Sequence, residues 1–540
     1  MMAKKKANRS GKAADSFVRR SLPDKELWPE IINLEDSAHT DRFNCISQLL
    51  DTAVAEGYGD HLCLCSDQLK WTYSETLSLV NRIANHLVSI CQLTKGERVM
   101  LGGPNSPMMA ACWLAVVKAG GVAVSTMALL RSGELVSIAN KAEVRLGLCD
   151  AAVLTEYLGA QTVTPFLETI TVFHDDEFEK SLEEQSTEFK AADTAADDAC
   201  LIAFTSGTTG QPKGCVHFHR DVLTICRTVG SGLLGLQSKD IFIGTPPLAF
   251  TFGLGGLLLF PLFVRGTAIL LPKAPPGELA AAIKRFRATV CFTSPTAYRA
   301  MIKEQNEFDF SSLRKAISAG EALPRATYDA WKDLTGLKLI DGIGSTELLH
   351  IFISAAEEAI RPGAIGKPLP SWEAMVVNDT GNEVNDGQVG HLLVRGPIGC
   401  RYLNDSRQLD YVYNGWNRTG DKFYRDSDGY FWFQSRADDM IVSSGYNIAA
   451  PEVENALLMH EAVAEAAVIG VPDHERGNVV KAFVVTTAGY FGSDELRITL
   501  QNHVKETIAP YKYPRAIAFV DSLPKTDTGK IQRFKLRDSS

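Results

Sequence analysis

The segment with the clearest chemical character is Thr205–Gly214, which reads TSGTTGQPKG. It follows an apolar strand predicted at Cys200–Phe204 and precedes a β-prone run at Cys215–Phe218. Its three glycines let the backbone approach an anion, its hydroxyls can donate to phosphate oxygens, and Lys213 supplies positive charge. Pro212 stands where a Walker A loop needs its second glycine. The segment therefore predicts a phosphate-binding loop that is not an ordinary P-loop.

Two charged residues outside this loop are also suited to nucleotide chemistry. Glu347 ends the segment DGIGSTE, and a carboxylate suits a hard cation that bridges protein and nucleotide phosphates. Lys530 lies in a basic run near the C-terminus. Taken alone, such a glutamate is more often a solvated surface group and such a run is more often a tail in solvent. The neighbouring motifs favour the catalytic interpretation.

The elements around these motifs alternate between strands and helices. From Glu97 the sequence predicts a strand (ERVMLGG), an apolar helix that reaches Lys118, and a second strand (VAVS), which together form a βαβ unit. Short strands that end in Gly- or Ser-containing turns recur at Ala288–Ser294 and Lys338–Gly344. Alternating α/β proteins place ligand-binding loops at such strand ends. The pattern predicts a layered α/β body.

The pattern changes towards the C-terminus. After Gly387, short strands and an Asp-Ser-Asp-Gly hairpin signal indicate a β-rich sub-domain over about 387–436. The remaining residues indicate two helices and two strands of a separate α+β domain. We predict a disordered basic tail over residues 1–20, a large domain over 21–436, a hinge at 437–438 and a small mobile domain over 439–540.

Together these motifs resemble those of the acyl-adenylate-forming superfamily, which includes acyl-CoA synthetases, adenylation domains of peptide synthetases and beetle luciferases. The resemblance covers essentially the whole chain through TSGTTGQPKG, SAGEALP, DGIGSTE, RTGD, SRADDMIVSSGYNIAAPEVE and PKTDTGKIQRFKLR. The runs GSTELLHIFIS and PKTDTGKIQRFKLR look most like the branch of benzoate and 2-aminobenzoate CoA ligases. The resemblance implies that ATP and an aryl acid form an acyl-adenylate, whose acyl group passes to coenzyme A with release of AMP and pyrophosphate.

The resemblance also implies roles for individual residues. Lys530 would bridge the acid and the α-phosphate, Thr346 would lie at phosphate oxygens, and Glu347 would reach Mg²⁺. Asp421 would accept both ribose hydroxyls, which suits the two oxygens of a carboxylate, with Arg436 near the ribose. The other residues implied in ATP or AMP binding are Thr205, Ser206, Gly207, Thr208, Thr209, Gly210, Lys213, Ala319, Gly320, Glu321, Asp341, Gly342, Ile343, Gly344 and Ser345.

The junction motif implies a moving small domain. Asp438 would be the hinge, and Ser444, Gly445 and Tyr446 would line the tunnel in which the thioester forms. Two successive reactions must use one site with different groups around it, so a hinge that exchanges those groups is chemically reasonable.

The resemblance implies an acid pocket built from two segments, both apolar here, one around Phe250 and one that follows Glu347. No carboxylate lies between Asp240 and Glu278, so the ammonium group of an α-amino acid would be left unpaired at a cost of several kcal/mol. A small aromatic carboxylic acid is therefore favoured. The imidazole of His350 could donate to this acid, or it could be a satisfied core group. The candidate pocket residues are Phe250, Thr251, Gly253, His350 and Ile351.

Other functions stay open at this point. A long-chain fatty acid ligase needs a tunnel, whereas the bulky Phe250, Phe252 and Phe352 favour a short pocket. The chain ends ten residues after Lys530, so free CoA is expected as the acceptor, and the loading of a separate carrier protein is the alternative. A nucleotide-binding protein without catalysis and a luciferase-like oxidoreductase are less favoured.

Composition narrows the class of protein further. The 540 residues carry a net charge of -9 with dispersed basic residues, which argues against a nucleic-acid partner. Eleven cysteines, several in apolar runs, indicate buried thiols in a reducing compartment and no structural metal. The basic N-terminus lacks the apolar core of a secretory signal, and the apolar run at 253–263 is too short to span a bilayer. We expect a cytoplasmic enzyme, as a monomer or homodimer.

Overall fold

A computed structural model gives the fold and places the predicted residues in it. It describes residues 14–32, 34, 41–205, 211–303, 308–321, 323, 325–436, 440–524, 531 and 533–538. Within these ranges no helix has the length and apolar character needed to cross a membrane. All eleven cysteines are free and buried, which confirms the prediction of buried thiols.

A six-stranded sheet carries the βαβ unit and the strand that leads into the phosphate loop. Arg98–Gly102 pairs in parallel with Val122–Thr126, and the helix between them, Pro107–Lys118, is buried along its length. The Ser106 hydroxyl caps this helix by accepting the Met109 N–H at 3.1 Å. A helix without a polar face is what a crossover inside a layered core requires. In spatial order the strands are Thr169–Phe173, Leu146–Asp150, Arg98–Gly102, Val122–Thr126, Ala199–Thr205 and Lys213–Phe218.

A nine-stranded sheet forms a second layer. Its central strands are parallel, and the register aligns Thr293 with Ser318 and Ser318 with Asp341. These strand ends therefore lie at one edge, where the sequence predicts ligand-binding loops. In spatial order the strands are Lys367–Pro368, Ile351–Ser354, Leu339–Gly344, Lys315–Ala319, Val290–Thr293, Ile241–Gly244, Thr267–Ile269, Leu62–Cys65 and Lys70–Thr72.

Helices and sheets of the large domain share a continuous apolar core, to which Trp113, Phe260 and Phe292 contribute fully buried rings.

The α-helices of both domains, within the described residues, are Phe17–Arg20, Tyr73–Ser89, Pro107–Lys118, Ser132–Ala142, Leu154–Val163, Asp176–Glu183, His219–Ile225, Thr251–Leu254, Phe260–Val264, Pro276–Phe286, Pro295–Lys303, Arg325–Thr335, Gln408–Tyr411, Ala450–Leu458, Asp494–Thr507 and Arg533–Asp538. Short 3₁₀ or π turns cover Lys25–Leu27, Ser47–Asp51, Val54–Tyr58, Ala151–Val153, Cys226–Leu233, Gly255–Leu259, Thr346–Leu348, Glu357–Ala359 and Pro510–Lys512.

The β-rich region is a five-stranded antiparallel sheet. It includes the predicted hairpin, formed by Trp416–Arg425 and Phe431–Arg436. It also includes Glu373–Val377, which pairs with Gly390–Arg395 and lies before the predicted start near residue 387. The earlier start follows from this pairing, which was not predicted from the sequence. The strand Val412–Tyr413 completes the sheet.

The residues after 440 form the predicted small α+β unit. A hairpin of Met440–Ser443 and Tyr446–Ala449 precedes a three-stranded sheet. The helices Ala450–Leu458 and Asp494–Thr507 pack on this sheet around a separate apolar core. The sheet strands are Val463–Asp473, Gly477–Thr486 and Ala516–Phe519.

Residues 14–20 differ from the expected disordered tail. Phe17–Arg20 is a short helix whose Val18 is buried. The guanidinium of Arg98 lies 4.5 Å from the centre of the Phe17 ring and 2.5 Å from a carboxylate oxygen of Asp15. An ion pair and an aromatic contact therefore attach this segment to the large domain. The remaining predicted tail, residues 1–13, lies outside the described residues.

Candidate active site

A cavity of about 350 Å³ lies where the ends of strands from both large-domain sheets meet the small-domain hairpin. Thr205 reaches it from the six-stranded sheet, Ala319 and Gly344 from the nine-stranded sheet, and Gly445 from the hairpin. Strand ends and a turn of separate elements thus converge on one cleft, which is the usual location of a ligand site in an α/β protein.

A charged cluster lies next to the cavity-lining residues Pro212 and Thr346. The Lys213 ammonium group donates to the Tyr402 hydroxyl at 2.9 Å, and that hydroxyl donates to Glu347 Oε1 at 2.5 Å. Lys213 Nζ also lies 3.7 Å from the same carboxylate oxygen. Because Glu347 is only 7% exposed, the tyrosine and lysine compensate its charge in a site where water cannot do so. We name Lys213, Glu347 and Tyr402 the phosphate end.

Two hydrogen bonds fix the turn that carries Thr346 and Glu347. Ser345 caps the 3₁₀ turn Thr346–Leu348 by accepting the Leu348 N–H at 3.3 Å. The buried His217 donates from Nε2 to the Thr346 carbonyl at 2.8 Å. These bonds fix the turn at the cavity wall, which Thr346 lines, and its role at phosphate oxygens stays a prediction.

Only some of the residues predicted to bind the nucleotide line the cavity. Ala319 and Gly320 line the cavity, and the adjacent Glu321 accepts the Thr296 hydroxyl at 2.7 Å. Burial raises the pKa of Glu321. Asp341 instead points into the protein from its strand, and burial raises its pKa to about 7. Gly342 and Ile343 lie on the same strand between Asp341 and the cavity-lining Gly344 and Ser345.

Asp421 and Arg436 are cross-strand partners. They face each other in the hairpin of the five-stranded sheet, and Asp421 is 6% exposed. The backbone N–H of Asp421 donates to the Thr419 hydroxyl at 3.2 Å. Asp421 is not among the described residues that line the cavity, and the ribose roles of Asp421 and Arg436 stay predictions.

The other end of the cleft is aromatic and has no formal charge. Phe250, Thr251, Ile351 and His350 line it. Gly253 lies directly behind them, where a Cβ would come within 2.1 Å of the Pro247 carbonyl oxygen, so only glycine fits. We name Phe250, Thr251, His350 and Ile351 the acid end.

His350 is not a satisfied core histidine. It is 2% exposed, and neither ring nitrogen makes a well-formed hydrogen bond within the described residues. Burial lowers its pKa to about 3, so the imidazole is neutral at physiological pH. Its ring packs on Phe252 and Phe260, with centroids 5.6 and 4.8 Å apart respectively. His350 lines the cavity, but both of its ring nitrogens are buried, so its hydrogen bond to a ligand stays a prediction.

The small domain closes the cleft with the turn between its first two strands. Ser444, Gly445 and Tyr446 all line the cavity. Gly445 has φ +81° and lies opposite Gly320, where a Cβ would be 3.8 Å from Gly445. The Tyr446 ring meets Phe250 edge-on, with the centroids 6.2 Å apart. The structure thus brings the predicted tunnel residues together with the acid end.

Several predicted residues cannot be located. Lys530 and Asp438 lie outside the described residues, as do the loop residues Ser206, Gly207, Thr208, Thr209 and Gly210. For Arg436 only the backbone position is described. Their predicted roles stay predictions.

Sequence reasoning missed three groups of lining or supporting residues. Tyr402 joins Lys213 to Glu347 from a loop 189 residues away from the lysine in sequence, and no local pattern marks it. Thr126 and Met127 follow the VAVS strand, and their position at the end of a parallel strand could have indicated them. The cavity is also lined by the charged residues Glu134, Glu452 and Lys512.

Comparison with known proteins identifies the family. Residues 51–401 match the AMP-binding enzyme family, and residues 452–530 match the AMP-binding enzyme C-terminal domain. The chain therefore belongs to the AMP-binding enzyme family, which confirms the resemblance and the predicted fold of a large and a small α/β-type domain.

Similar proteins include two kinds of aryl acid ligase. The benzoate–CoA ligase of Thauera aromatica is 34% identical over 528 residues, which cover 96% of this chain and 99% of that enzyme. The crystal structure of the anthranilate CoA ligase AuaEII in complex with anthranoyl-AMP has a TM-score of 0.73 at 35% identity, and the match covers 94% of this chain and 99% of that one. A benzoate CoA ligase from Burkholderia xenovorans LB400 has a TM-score of 0.69 at 31% identity, with 92% and 100% covered.

Proposed function

We propose that this protein is an ATP-dependent ligase that joins a small aromatic carboxylic acid of the benzoate or 2-aminobenzoate type to coenzyme A. The observation that carries the proposal is the cleft itself, in which the acid end shares one cavity with Thr346, whose neighbour Glu347 belongs to the charged phosphate end. The benzoate and anthranilate ligases to which the chain is similar support the same substrate class.

The acid end favours a ring over an alkyl chain or an amino acid. Phe252, Phe260, Phe292 and His350 pack ring against ring behind it, which gives the pocket a closed inner wall. A planar ring fits between aromatic walls, whereas a long chain needs an open tunnel. The neutral His350 offers a hydrogen bond to the acid's carboxylate or to a polar ring substituent.

The phosphate end would hold the ATP. The acid's carboxylate oxygen attacks the α-phosphorus and pyrophosphate leaves, so negative charge accumulates near Lys213 and Thr346. Glu347 fits a Mg²⁺ ligand because one buried carboxylate is sufficient where substrate phosphates and water complete the coordination. Bound there, Mg²⁺ would neutralise phosphate charge. Lys530 is the lysine that we expect at the reacting oxygens.

The second reaction would use the small-domain turn. The CoA sulfur attacks the carbonyl carbon of the adenylate and AMP leaves, which requires a passage for the thiol between the domains. Gly445 and Gly320 face each other without side chains at this boundary. We therefore assign the present arrangement to thioester formation, with Asp438 as the hinge that permits the other arrangement. A cytoplasmic location and a monomer or homodimer accompany this proposal.

Mass spectrometry of the products tests the proposal. Purified protein would be incubated with ATP, Mg²⁺, CoA and a panel of benzoate, 2-aminobenzoate, hydroxybenzoates, cinnamates and fatty acids. An aroyl-CoA together with AMP is the expected result. A preference for fatty acids would change the proposed substrate class from aromatic acids to fatty acids. An acyl-adenylate without a CoA ester would favour the loading of a carrier protein. No product from any acid would contradict the proposal.

A further inference from the structure

A buried lysine joins the two domains beside the cleft. Lys512, in the small domain, is 4% exposed. Its Nζ lies 2.6 Å from Glu134 Oε1 of the large domain and 2.6 Å from Glu452 Oε1 of its own domain. The backbone N–H of Ala509 donates to Glu134 Oε2 at 3.0 Å. Glu134 thus receives two hydrogen bonds from the small domain.

Glu134 is fixed by its own domain. It lies in the first turn of the helix Ser132–Ala142, and its Oε2 accepts the Arg131 N–H at 3.0 Å, which caps that helix. The Arg131 guanidinium donates to Glu156 at 3.0 Å and to the Lys505 carbonyl of the small domain at 3.1 Å. Because the Glu134 carboxylate is already fixed in this way, little side-chain conformational entropy is lost when the small domain binds to it.

Lys512 is in turn connected to the turn that enters the cleft. It ends the short 3₁₀ helix Pro510–Lys512. The Tyr511 ring in that helix packs on the Tyr446 ring, with centroids 4.4 Å apart and an interplanar angle of 30°. Tyr446 in turn contacts Phe250 at the acid end. The position of Lys512 therefore determines how deeply the Tyr446 turn lies in the cleft.

The cluster depends on the lysine for its charge balance. Without the ammonium group, Glu134 and Glu452 would face each other as two poorly solvated carboxylates. Glu452 Oε2 makes no hydrogen bond within the described part of the chain. Burial raises the pKa of Glu452 to about 7, which reflects this shortage of solvation.

We propose that Glu134, Lys512 and Glu452 form an interdomain clasp that holds the small domain in the thioester-forming arrangement. They are positioning residues, because they act through Tyr511 and Tyr446 and not on the reacting atoms. Rotation of the small domain separates Lys512 from Glu134 and leaves its bond to Glu452 intact. This inference rests on the proposed function, since it assigns the clasp to the second of its two reactions.

Measuring the two half-reactions separately tests the clasp. Pyrophosphate exchange reports adenylation, and single-turnover conversion of preformed aroyl-adenylate with CoA reports thioester formation. Lys512→Met should slow thioester formation at least about tenfold while adenylation stays within about twofold of the unmodified protein. Lys512→Arg retains the charge and should restore most of the rate, whereas Glu134→Gln should give an intermediate loss of the same step.

Lys481→Met is the matched control, because it removes a lysine from the small domain where the side chain lies 5.0 Å from the centre of the Phe483 ring, in its own strand. It should leave both half-reactions unchanged. Equal slowing of both half-reactions by Lys512→Met, or no slowing of either, would overturn the clasp.

A second readout does not depend on activity. The rate of trypsin cleavage after Arg436, at the predicted junction, should rise in Lys512→Met and stay unchanged in Lys481→Met, because an unclasped small domain exposes the junction more often. If the unmodified protein forms no CoA ester, the proposed function fails, and equal cleavage rates in both variants would contradict the clasp independently.

Discussion

The two ends of the cleft handle polar groups in opposite ways. At the phosphate end, Lys213, Tyr402 and Glu347 are hydrogen-bonded to one another before any ligand binds. At the acid end, the nitrogens of the buried His350 have no well-formed partner within the described residues. The difference suggests that the phosphate end is pre-organised to stabilise charge, whereas the acid end selects a substrate by shape and by one unfilled hydrogen bond.

Substitutions at the two ends should therefore have different effects on the kinetics. Changes at the phosphate end should lower the rate with every acid by a similar factor. Changes at the acid end should alter the ranking of the acids and leave the apparent affinity for ATP nearly unchanged.

The largest effect is expected for Glu347→Gln. The amide keeps the contact with the Tyr402 hydroxyl but removes the charge proposed to bind Mg²⁺, so kcat for adenylation should fall by about 100-fold or more with every acid. Pyrophosphate exchange measures this. Glu358→Gln is the control, since that side chain is 96% exposed and pairs with Lys338 outside the cleft. A loss restricted to one acid would contradict the separation of the two ends.

Gly445→Val tests whether the small-domain turn that lines the cavity also borders the passage for CoA. A Cβ there would lie 3.7 Å from Ser294 Cβ, so the added methyl groups would narrow the gap and a left-handed φ would strain the turn. Thioester formation should fall by roughly 30-fold and adenylation by less than about threefold, in single-turnover assays of each step. Gly477→Val, at φ +72° in open space, separates strain from obstruction. Normal CoA transfer in Gly445→Val would remove the tunnel assignment.

His350→Leu tests the unfilled hydrogen bond of the acid end. Loss of the imidazole should shift the ratio of kcat/KM for 2-aminobenzoate over benzoate by about tenfold in favour of benzoate, because the amino group loses a nitrogen that could accept its N–H. The KM for ATP, which should stay within about twofold, is the internal control. An unchanged ratio with lower rates for both acids would assign the imidazole to the shared carboxylate.

The smallest effect concerns the strand behind the phosphate end. The pKa of Asp341 is raised by burial from 3.8 to about 7, so its neutral form stabilises the fold at low pH and this contribution is lost as the pH rises through about 7. At about 1.4 kcal/mol for each pKa unit, up to about 4 kcal/mol is involved. Scanning calorimetry from about pH 4 to 8.5 should therefore show the Tm of Asp341→Asn rising relative to that of the unmodified protein up to about pH 7 and staying level above it. A constant difference in Tm would show that the carboxyl group is already ionised.

The sequence predicted those parts of the fold and site that local patterns determine. Strands that end in glycine-rich turns, such as Leu339–Gly344, have a period and a terminator that can be recognised without neighbours. For the same reason the βαβ unit was predicted correctly. The segment around Phe250 was assigned to the acid pocket through the family resemblance, and it lines the cavity.

Partners that meet only through the tertiary fold could not be predicted. Lys512 and Glu134 are 378 residues apart, and each lies in a segment whose local pattern indicates only a helix or a turn. Tyr402 is likewise joined to Lys213 by topology alone. The missing partner of His350 also depends on packing, because composition cannot distinguish a satisfied core histidine from one that faces a cavity.

The most direct test of the central claim is a single-turnover reaction of the unmodified protein with radiolabelled benzoate or 2-aminobenzoate and ATP, with CoA added only after a delay. Before the addition, we expect about one equivalent of aroyl-adenylate on the enzyme with release of pyrophosphate. After it, the label should pass to aroyl-CoA as AMP appears. A CoA ester that forms with ADP and phosphate, or without any adenylate, would contradict the account.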